Sequence, residues 1–433
     1  MKENRVKVIG AGLAGCEAAH FLSRHGIRVD LYEQKPVKYS PAHTSSDFAE
    51  LVCSNSLKSM REDSSQGMLK NEMRHFGSII LESALETRVP AGGALAVERN
   101  SFSRLITERI KSDPNIHIHY EEVTELDRDE ITIVATGPLT EGALYERISE
   151  LRGSRMHFYD AAAPIVMADS INMEKVFAAS RYSDTDDDYL NCPMNKEEYE
   201  AFYERLMNAE RAPLKGFEKD PGVYEGCMPV EVMAARGPQT LRFGPMKPVG
   251  LKDPRTGHRP WANLQLRSEN VEKTMYNLVG FQTNLKFPEQ KRVFGMIPGL
   301  ENAVYARYGV MHRNSFINSP EVLNMTLNLR QMPNIYFAGQ ITGMEGYMES
   351  SMCGLLAGYF VWCRLTGRDV QMPGRDTISG ALLRYITAPN RDFQPMGANM
   401  GILEPLDEHI RDKRERYAAL SRRGKESIEK ISL

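Results

Sequence analysis

The chain has 433 residues, 42% of them hydrophobic, and a formal net charge of −3 at pH 7. A chain of that length buries a large core and is expected to form two or more domains. The near-neutral charge gives no global pull towards nucleic acid, so any such binding rests on local basic patches. No uninterrupted apolar run approaches the roughly 18 residues that a bilayer span needs, and Met1-Lys2-Glu3-Asn4-Arg5 leads straight into the first strand. A cytoplasmic, unprocessed protein without a membrane partner is the expectation.

The first element is an apolar strand, Val6-Lys7-Val8-Ile9, that runs into Gly10-Ala11-Gly12-Leu13-Ala14-Gly15. A helix-like stretch follows, and a second strand, Val29-Asp30-Leu31-Tyr32, ends on Glu33. Gly10 allows the tight turn, Gly12 lets backbone approach a pyrophosphate, and Gly15 permits close helix-to-strand packing. The helix N-terminus adds partial positive charge for the phosphates. Glu33 lies close to the roughly 20-residue spacing at which an acid meets ribose hydroxyls. Glycines alone also serve ordinary turns. Strand, glycines, helix and acid in this order make a dinucleotide-binding fingerprint.

Residues 36 to 66 are rich in Ser, Pro, His and Asn and read as a loop-dominated segment over the nucleotide site. Helices are expected over 67 to 88 and over Arg99 to Ile110, and a strand over Ile116 to Tyr120. Ile131-Thr132-Ile133-Val134 reads as a buried strand ending in Ala135-Thr136-Gly137-Pro138. That ending resembles the strand end at which two-dinucleotide-binding-domain flavoproteins pass their cofactor. From about residue 169 the texture changes to an acidic stretch, a charged helix around 195 to 210, and Pro/Gly-rich sequence to about 260.

The nucleotide-domain texture returns with Ile335-Tyr336-Phe337-Ala338-Gly339-Gln340, then Gly343, Glu345, Tyr347 and an apolar helix from Gly354 to Leu365. In flavoproteins a late strand–Gly–Asp–helix element meets the flavin end of FAD, and here Gln340 stands where the acid usually is. A nicotinamide dehydrogenase needs only the first fingerprint, whereas extended FAD needs contacts at both ends, so FAD is the expected cofactor. No second G-x-G-x-x-G offers a site of that type to NADPH or NADH. Glu345 and Glu349 flank the flavin-side loop, where they read chiefly as solvated helix-start charge. The expected architecture is α/β: a Rossmann-like FAD-binding fold of the glutathione-reductase type, discontinuous over 1–168 and 300–433. A smaller α+β domain, inserted over 169–299, contributes to the RNA or substrate site.

Six cysteines, at 16, 53, 192, 227, 353 and 363, show no C-x-x-C spacing. Neither zinc nor a disulfide framework is expected, and no metal site is assigned. Cys16, Cys192 and Cys363 read as buried, inert thiols. Cys53, in Leu51-Val52-Cys53-Ser54-Asn55-Ser56, lies on the loop segment near the nucleotide site. Cys227, in Glu225-Gly226-Cys227-Met228-Pro229-Val230-Glu231, follows a glycine at a turn into a helix start, a setting that favours a reactive thiolate.

The fingerprint, these two cysteine segments, Gly309-Val310-Met311-His312-Arg313-Asn314 with Phe316-Ile317-Asn318-Ser319-Pro320, and Phe337 to Gly343 recur in order over nearly the whole chain. Together they resemble the TrmFO family of folate- and FAD-dependent tRNA (uracil-5-)-methyltransferases. The family more often carries Asn and Phe at the positions of Gly397 and Met400.

The resemblance implies methylation of a T-loop uridine of tRNA, with 5,10-methylenetetrahydrofolate as carbon donor and NAD(P)H as reductant. No obligatory protein partner is inferred. C5 of uracil is a poor nucleophile, and a thiolate added at C6 turns the ring into an enolate that attacks an electrophilic one-carbon unit. The carbon enters at the formaldehyde level and leaves as methyl, so two electrons are needed, and reduced flavin supplies them. Flavin N5 is also able to carry the methylene. Cys227 is assigned to the C6 addition. Cys53, beside the flavin, holds or protects the methylene carrier or assists proton removal from C5. His312, Arg313 and Asn314 are candidate substrate or folate contacts, since Arg pairs well with a glutamyl carboxylate.

For RNA, residues 236 to 267 hold Arg236, Arg242, Lys247, Lys252, Arg255, Arg259 and Arg267, with Phe243 and Trp261 interleaved. Cations would meet phosphates and aromatics an exposed base, unless this is simply a solvated basic loop. Two other readings share the FAD frame. One is the same chemistry on a ribosomal RNA uridine. The other is a flavoprotein that modifies wobble uridines with a partner GTPase, a family of longer chains.

Overall fold

The computed structural model describes residues 5–40, 42–150, 156–182, 187–213, 228–391 and 393–433, with the side chains of 156–160, 312 and 313 left undescribed. Five strands form one parallel sheet in the spatial order Ile335–Phe337, Thr132–Val134, Arg5–Ile9, Arg28–Tyr32, Ile116–His119. Val6, Val8, Val29, Leu31, Ile133 and Phe337 are fully buried, as expected of a sheet covered on both faces.

The fingerprint turn leads from the central strand into the Leu13–Arg24 helix. Against this helix lies the longest helix among the described residues, Tyr347–Thr366, whose residues 348 to 363 are all buried. Close approach at their crossing depends on Gly354, where a Cβ would lie 2.1 Å from the Ala14 carbonyl oxygen. The long helix thus begins well before the Gly354 start read from apolar content. Its polar first turns, Glu349-Ser350-Ser351, are buried too.

The helix expected over 67 to 88 is two, Ser65–His75 and Ile79–Glu86. Gly77, at φ +66°, breaks the chain between them, and Ser64 and Ser78 each cap the helix that follows through their side chains. The Ser/Pro-rich segment also contains a short strand, Ser56–Ser59, paired with Ala94–Val97.

A second sheet of six antiparallel strands runs in the order Phe177–Ala178, Tyr189–Met194, Ala262–Ser268, Met275–Leu278, Ile165–Met167, Tyr305–Arg307. Its outermost members in sequence stand either side of residues 169–299. The Lys196–Met207 helix, opened by a capping box between Asn195 and Glu198, and the Phe287–Phe294 helix help to close a separate hydrophobic core around it. A ribbon of Met156–Ala161 with Met311–Phe316 runs between the two regions in sequence. No helix among the described residues is long and apolar enough to cross a membrane.

Candidate active site

A cleft with about 1330 Å³ of empty space, part of it open to solvent, lies at the carboxyl ends of the parallel strands. Gly10, Ala11, Gly12, Leu13, Ala14 and Glu33 line it together with Gly339 and Gln340, as do Val52, Tyr347 and Ser350. Position in sequence therefore separates two motifs that the fold brings to one cavity. They meet at Ala14: a Cβ on Gly339 would approach the Ala14 Cβ to 2.9 Å.

The fingerprint glycines divide by what surrounds them. A Cβ at Gly15 would lie 1.8 Å from the Gly10 carbonyl oxygen, so Gly15 serves packing within the turn. Gly10 takes φ +98°, and a Cβ there would meet the Ala135 oxygen at 2.6 Å. Gly12 has nothing within 4 Å and faces open space. As N-cap of the Leu13–Arg24 helix it provides no side-chain cap, leaving first-turn N–H groups to the cleft. These residues fit an extended dinucleotide such as FAD, whose pyrophosphate Gly12 and the first-turn N–H groups would hold.

Glu33 is buried, accepting hydrogen bonds from the Ala11 N–H and the Lys35 N–H, each at 2.9 Å. Its carboxylate thus braces the fingerprint turn while lining the cleft. Gln340 donates its amide to Glu345 at 2.6 Å. Burial, aided by nearby Lys35, holds the His43 imidazole of the cleft wall below its ordinary pKa.

Glu345 and Glu349 are not solvated. Both are buried, and Glu349 accepts from the Gln66 amide at 2.8 Å and the Ala398 N–H at 2.9 Å, with the Lys58 ammonium 3.3 Å away. Burial pushes its pKa up, but Lys58 and these hydrogen bonds outweigh it and leave the carboxyl below its usual range.

Cys53 is partly exposed, next to Val52 of the cleft wall. Its N–H donates to the Tyr347 hydroxyl at 2.7 Å, and its thiol points to the Ala161 carbonyl at 3.7 Å. Arg99 donates to the carbonyls of Leu51 at 2.6 Å and Cys53 at 3.1 Å while paired with Glu269 at 2.6 Å. Arg307 donates to the Val52 carbonyl, and Arg267 reaches Asn55 Oδ1 at 2.9 Å and Ser54 Oγ at 2.8 Å. Burial works against the charge of all three. It lowers the pKa of Arg267 and Arg307, whereas Glu269 outweighs it at Arg99. Sequence reasoning missed Tyr347, Arg99 and Arg307, because nothing local ties two helix starts and a strand end elsewhere in the chain to the Cys53 loop.

Cys227 lies outside the described residues. The segment directly after it is anchored: buried Glu231 accepts from the Thr283 hydroxyl at 2.8 Å and the Asn284 N–H at 2.7 Å. Cys16, Cys192, Cys353 and Cys363 are buried. In the Met311–Phe316 strand the backbone of His312 and Arg313 pairs with Asp160 and Tyr159, and Asn314 is buried. Among the described residues no group of three or more His, Cys, Asp or Glu side chains is placed to hold a metal.

The basic stretch does not act as one surface. Arg267 faces the Cys53 loop, Arg255 pairs with Asp253 at 2.8 Å, and Arg242 lies 3.7 Å over the Trp261 ring. Trp261 therefore has a covered face. Phe243 is 84% exposed, and Arg236, Lys252 and Arg259 remain at the surface.

The family described as Glucose inhibited division protein A matches residues 5–369. A methylenetetrahydrofolate–tRNA-(uracil-5-)-methyltransferase TrmFO of Acetivibrio thermocellus is 57% identical, over 95% of this chain and 94% of its own length. The TrmFO of Pelotomaculum thermopropionicum is 54% identical over 100% and 99%. The chain belongs to the glucose inhibited division protein A family, and within it to the TrmFO proteins. Aquifex aeolicus GidA shares the fold, with a TM-score of 0.67 at 14% identity over 99% of this chain and 74% of that one. The Rossmann-type frame expected of a family flavoprotein is the one observed, its parallel sheet running 5 strands wide.

Proposed function

We propose that the protein methylates C5 of a T-loop uridine in tRNA, using 5,10-methylenetetrahydrofolate as one-carbon donor and NAD(P)H as reductant, in the cytoplasm. The observation that carries this is the single cleft shared by Gly10–Ala14, Glu33, Gly339–Gln340 and the wall formed by Val52 and Tyr347 beside Cys53. Nearly complete mutual coverage with TrmFO relatives, against 74% of the longer GidA chain, favours this reaction over wobble-uridine modification.

Bound FAD supplies the two electrons that take the carbon from the formaldehyde level to methyl. Gly10, Gly12 and the uncapped helix start would hold its pyrophosphate, Glu33 its ribose, and Gly339 with Gln340 its flavin end. The Cys227 thiolate adds to uracil C6, and C5 bonds to the methylene carbon of the donor, whose carbon–nitrogen bonds break to release tetrahydrofolate. The C5 proton leaves, the thiolate is expelled from C6, and the two electrons arrive at the methylene as a hydride equivalent to give the methyl group and restore the ring. Cys53 stands on the cofactor side, held by Tyr347, where it guards the one-carbon unit or assists loss of the C5 proton. We assign His312, Arg313 and Asn314 as substrate or folate contacts. We assign residues 1–168 and 300–433 to the cofactor domain and 169–299 to the RNA side, with Phe243 as its exposed aromatic.

The test is incubation of the yellow protein with NADPH, methylenetetrahydrofolate and unmodified tRNA, followed by nucleoside analysis for 5-methyluridine. Methylation from S-adenosylmethionine instead would overturn the reading. A covalent adduct with 5-fluorouridine RNA that survives Cys227→Ala would remove Cys227 from its role.

A further inference from the structure

Three arginines from three separate elements converge on the Cys53 loop. Arg99 opens the Arg99–Ser112 helix, Arg267 lies in the Ala262–Ser268 strand and Arg307 ends the Tyr305–Arg307 strand. Between them, Arg99 and Arg307 satisfy three successive carbonyls, those of Leu51, Val52 and Cys53. Arg267 takes the next two side chains, Ser54 and Asn55. Asn55 in turn donates to the Val97 and Ser268 carbonyls, each at 3.1 Å. Two of the three cations belong to the antiparallel sheet, and the loop that follows its Met275–Leu278 strand anchors, through Thr283 and Asn284, the Glu231 of the segment following Cys227.

Such an arrangement is costly as packing alone. Burying guanidinium groups with a single acid, Glu269, in their midst sacrifices hydration that a solvated loop would keep. Its specific product is geometric. A five-residue loop without regular structure around Cys53 loses its freedom of rotation on the side facing the second sheet, while Tyr347 fixes the side facing the cleft.

We propose that Arg267 and Arg307, with Arg99, are positioning residues for Cys53, so that the antiparallel sheet sets where this thiol stands relative to the cofactor cleft. The consequence for catalysis rests on the reaction proposed above; the consequence for loop order does not. Arg307 makes its bond through one N–H, which a lysine ammonium is able to replace. Arg267 uses two nitrogens on two partners, and a lysine cannot span both.

The experiment uses the FAD-loaded full chain as wild type, Arg307→Ala, Arg307→Lys and Arg267→Lys. Amide hydrogen exchange is read by mass spectrometry on the peptide covering residues 51–56, with the fingerprint peptide as internal reference. Exchange in 51–56 is expected to quicken at least tenfold in Arg307→Ala and Arg267→Lys and to return towards wild type in Arg307→Lys, with the fingerprint unchanged. kcat for tRNA methylation falls at least tenfold in the first two, with KM for tRNA within twofold. Wild-type exchange in Arg307→Ala and Arg267→Lys would overturn the proposal, as would quickened exchange with undiminished kcat. A change spread equally over fingerprint and loop marks general unfolding of Arg307→Ala, and the decision then passes to the two lysine variants. Absence of methylation in the wild type would sink the reaction, leaving the exchange data to decide the clamp.

Discussion

The Cys53 N–H donates to the Tyr347 hydroxyl at 2.7 Å, across 294 positions of sequence, and the same oxygen lies 3.4 Å from the Ser54 nitrogen. Tyr347 opens the long helix that packs on the fingerprint helix, so the loop bearing the thiol is tied to an element that lines the cleft beside Gly339 and Gln340. Tyr347→Phe keeps the ring and removes the acceptor. An amide left without its partner costs about 1–3 kcal/mol. Methylation by Tyr347→Phe is therefore expected to drop about tenfold or more in kcat, with FAD content near one per chain by absorbance.

Gly12 and Gly15 differ in what a methyl group would strike, and Ala variants separate their roles. Gly15→Ala places a carbon 1.8 Å from a backbone oxygen and forces the turn apart. Overpacking of this kind costs about 1–3 kcal/mol, and both melting temperature and FAD retention should fall. Gly12→Ala meets no protein atom, so its apoprotein should melt within a degree or so of wild type while FAD binds about tenfold more weakly. Equal apoprotein melting losses in the two variants would contradict this division.

Glu349 provides a pH-dependent contribution of determinable sign. Its folded-state pKa is depressed, so its ionised contacts add stability above the ordinary carboxyl range. That contribution is lost as pH falls through the folded value. Glu349→Gln should cost about 1–3 kcal/mol at neutral pH, with a smaller loss of melting temperature than wild type as pH is lowered from about 5 to well below the ordinary carboxyl value of 4.5. Parallel pH curves would refute the assignment.

The surface we assign to RNA is narrower than the basic stretch in sequence. Phe243→Ala should weaken tRNA binding by about 1–3 kcal/mol if it stacks on a base. Lys252→Ala with Arg259→Ala should flatten the slope of log affinity against log salt by about 1–2. Trp261→Phe should leave binding unchanged, since Arg242 already covers its ring.

Local pattern was enough to reveal the nucleotide end of the site. The fingerprint strand, turn, helix and Glu33 are consecutive in the chain, and their chemistry follows from backbone conformation within a few residues. Gly339 and Gln340 were legible for the same reason, as a strand running into a turn. Helix limits were less so: Gly77 and the caps Ser64 and Ser78 split one expected helix, while buried Glu349, Ser350 and Ser351 hid the start of another.

Sequence by itself determined that a dinucleotide binds and which family pattern the chain carries, because close-range sterics and the order of motifs are properties of the chain. Only the tertiary structure decided which charges face solvent. Arg267, counted with the RNA-facing cations, is drawn inward by unsatisfied acceptors on Ser54 and Asn55, and Glu349 by the donors of Gln66 and Ala398. Those partners lie from 49 to 283 positions away, and a charged side chain is buried only where such distant groups replace its water.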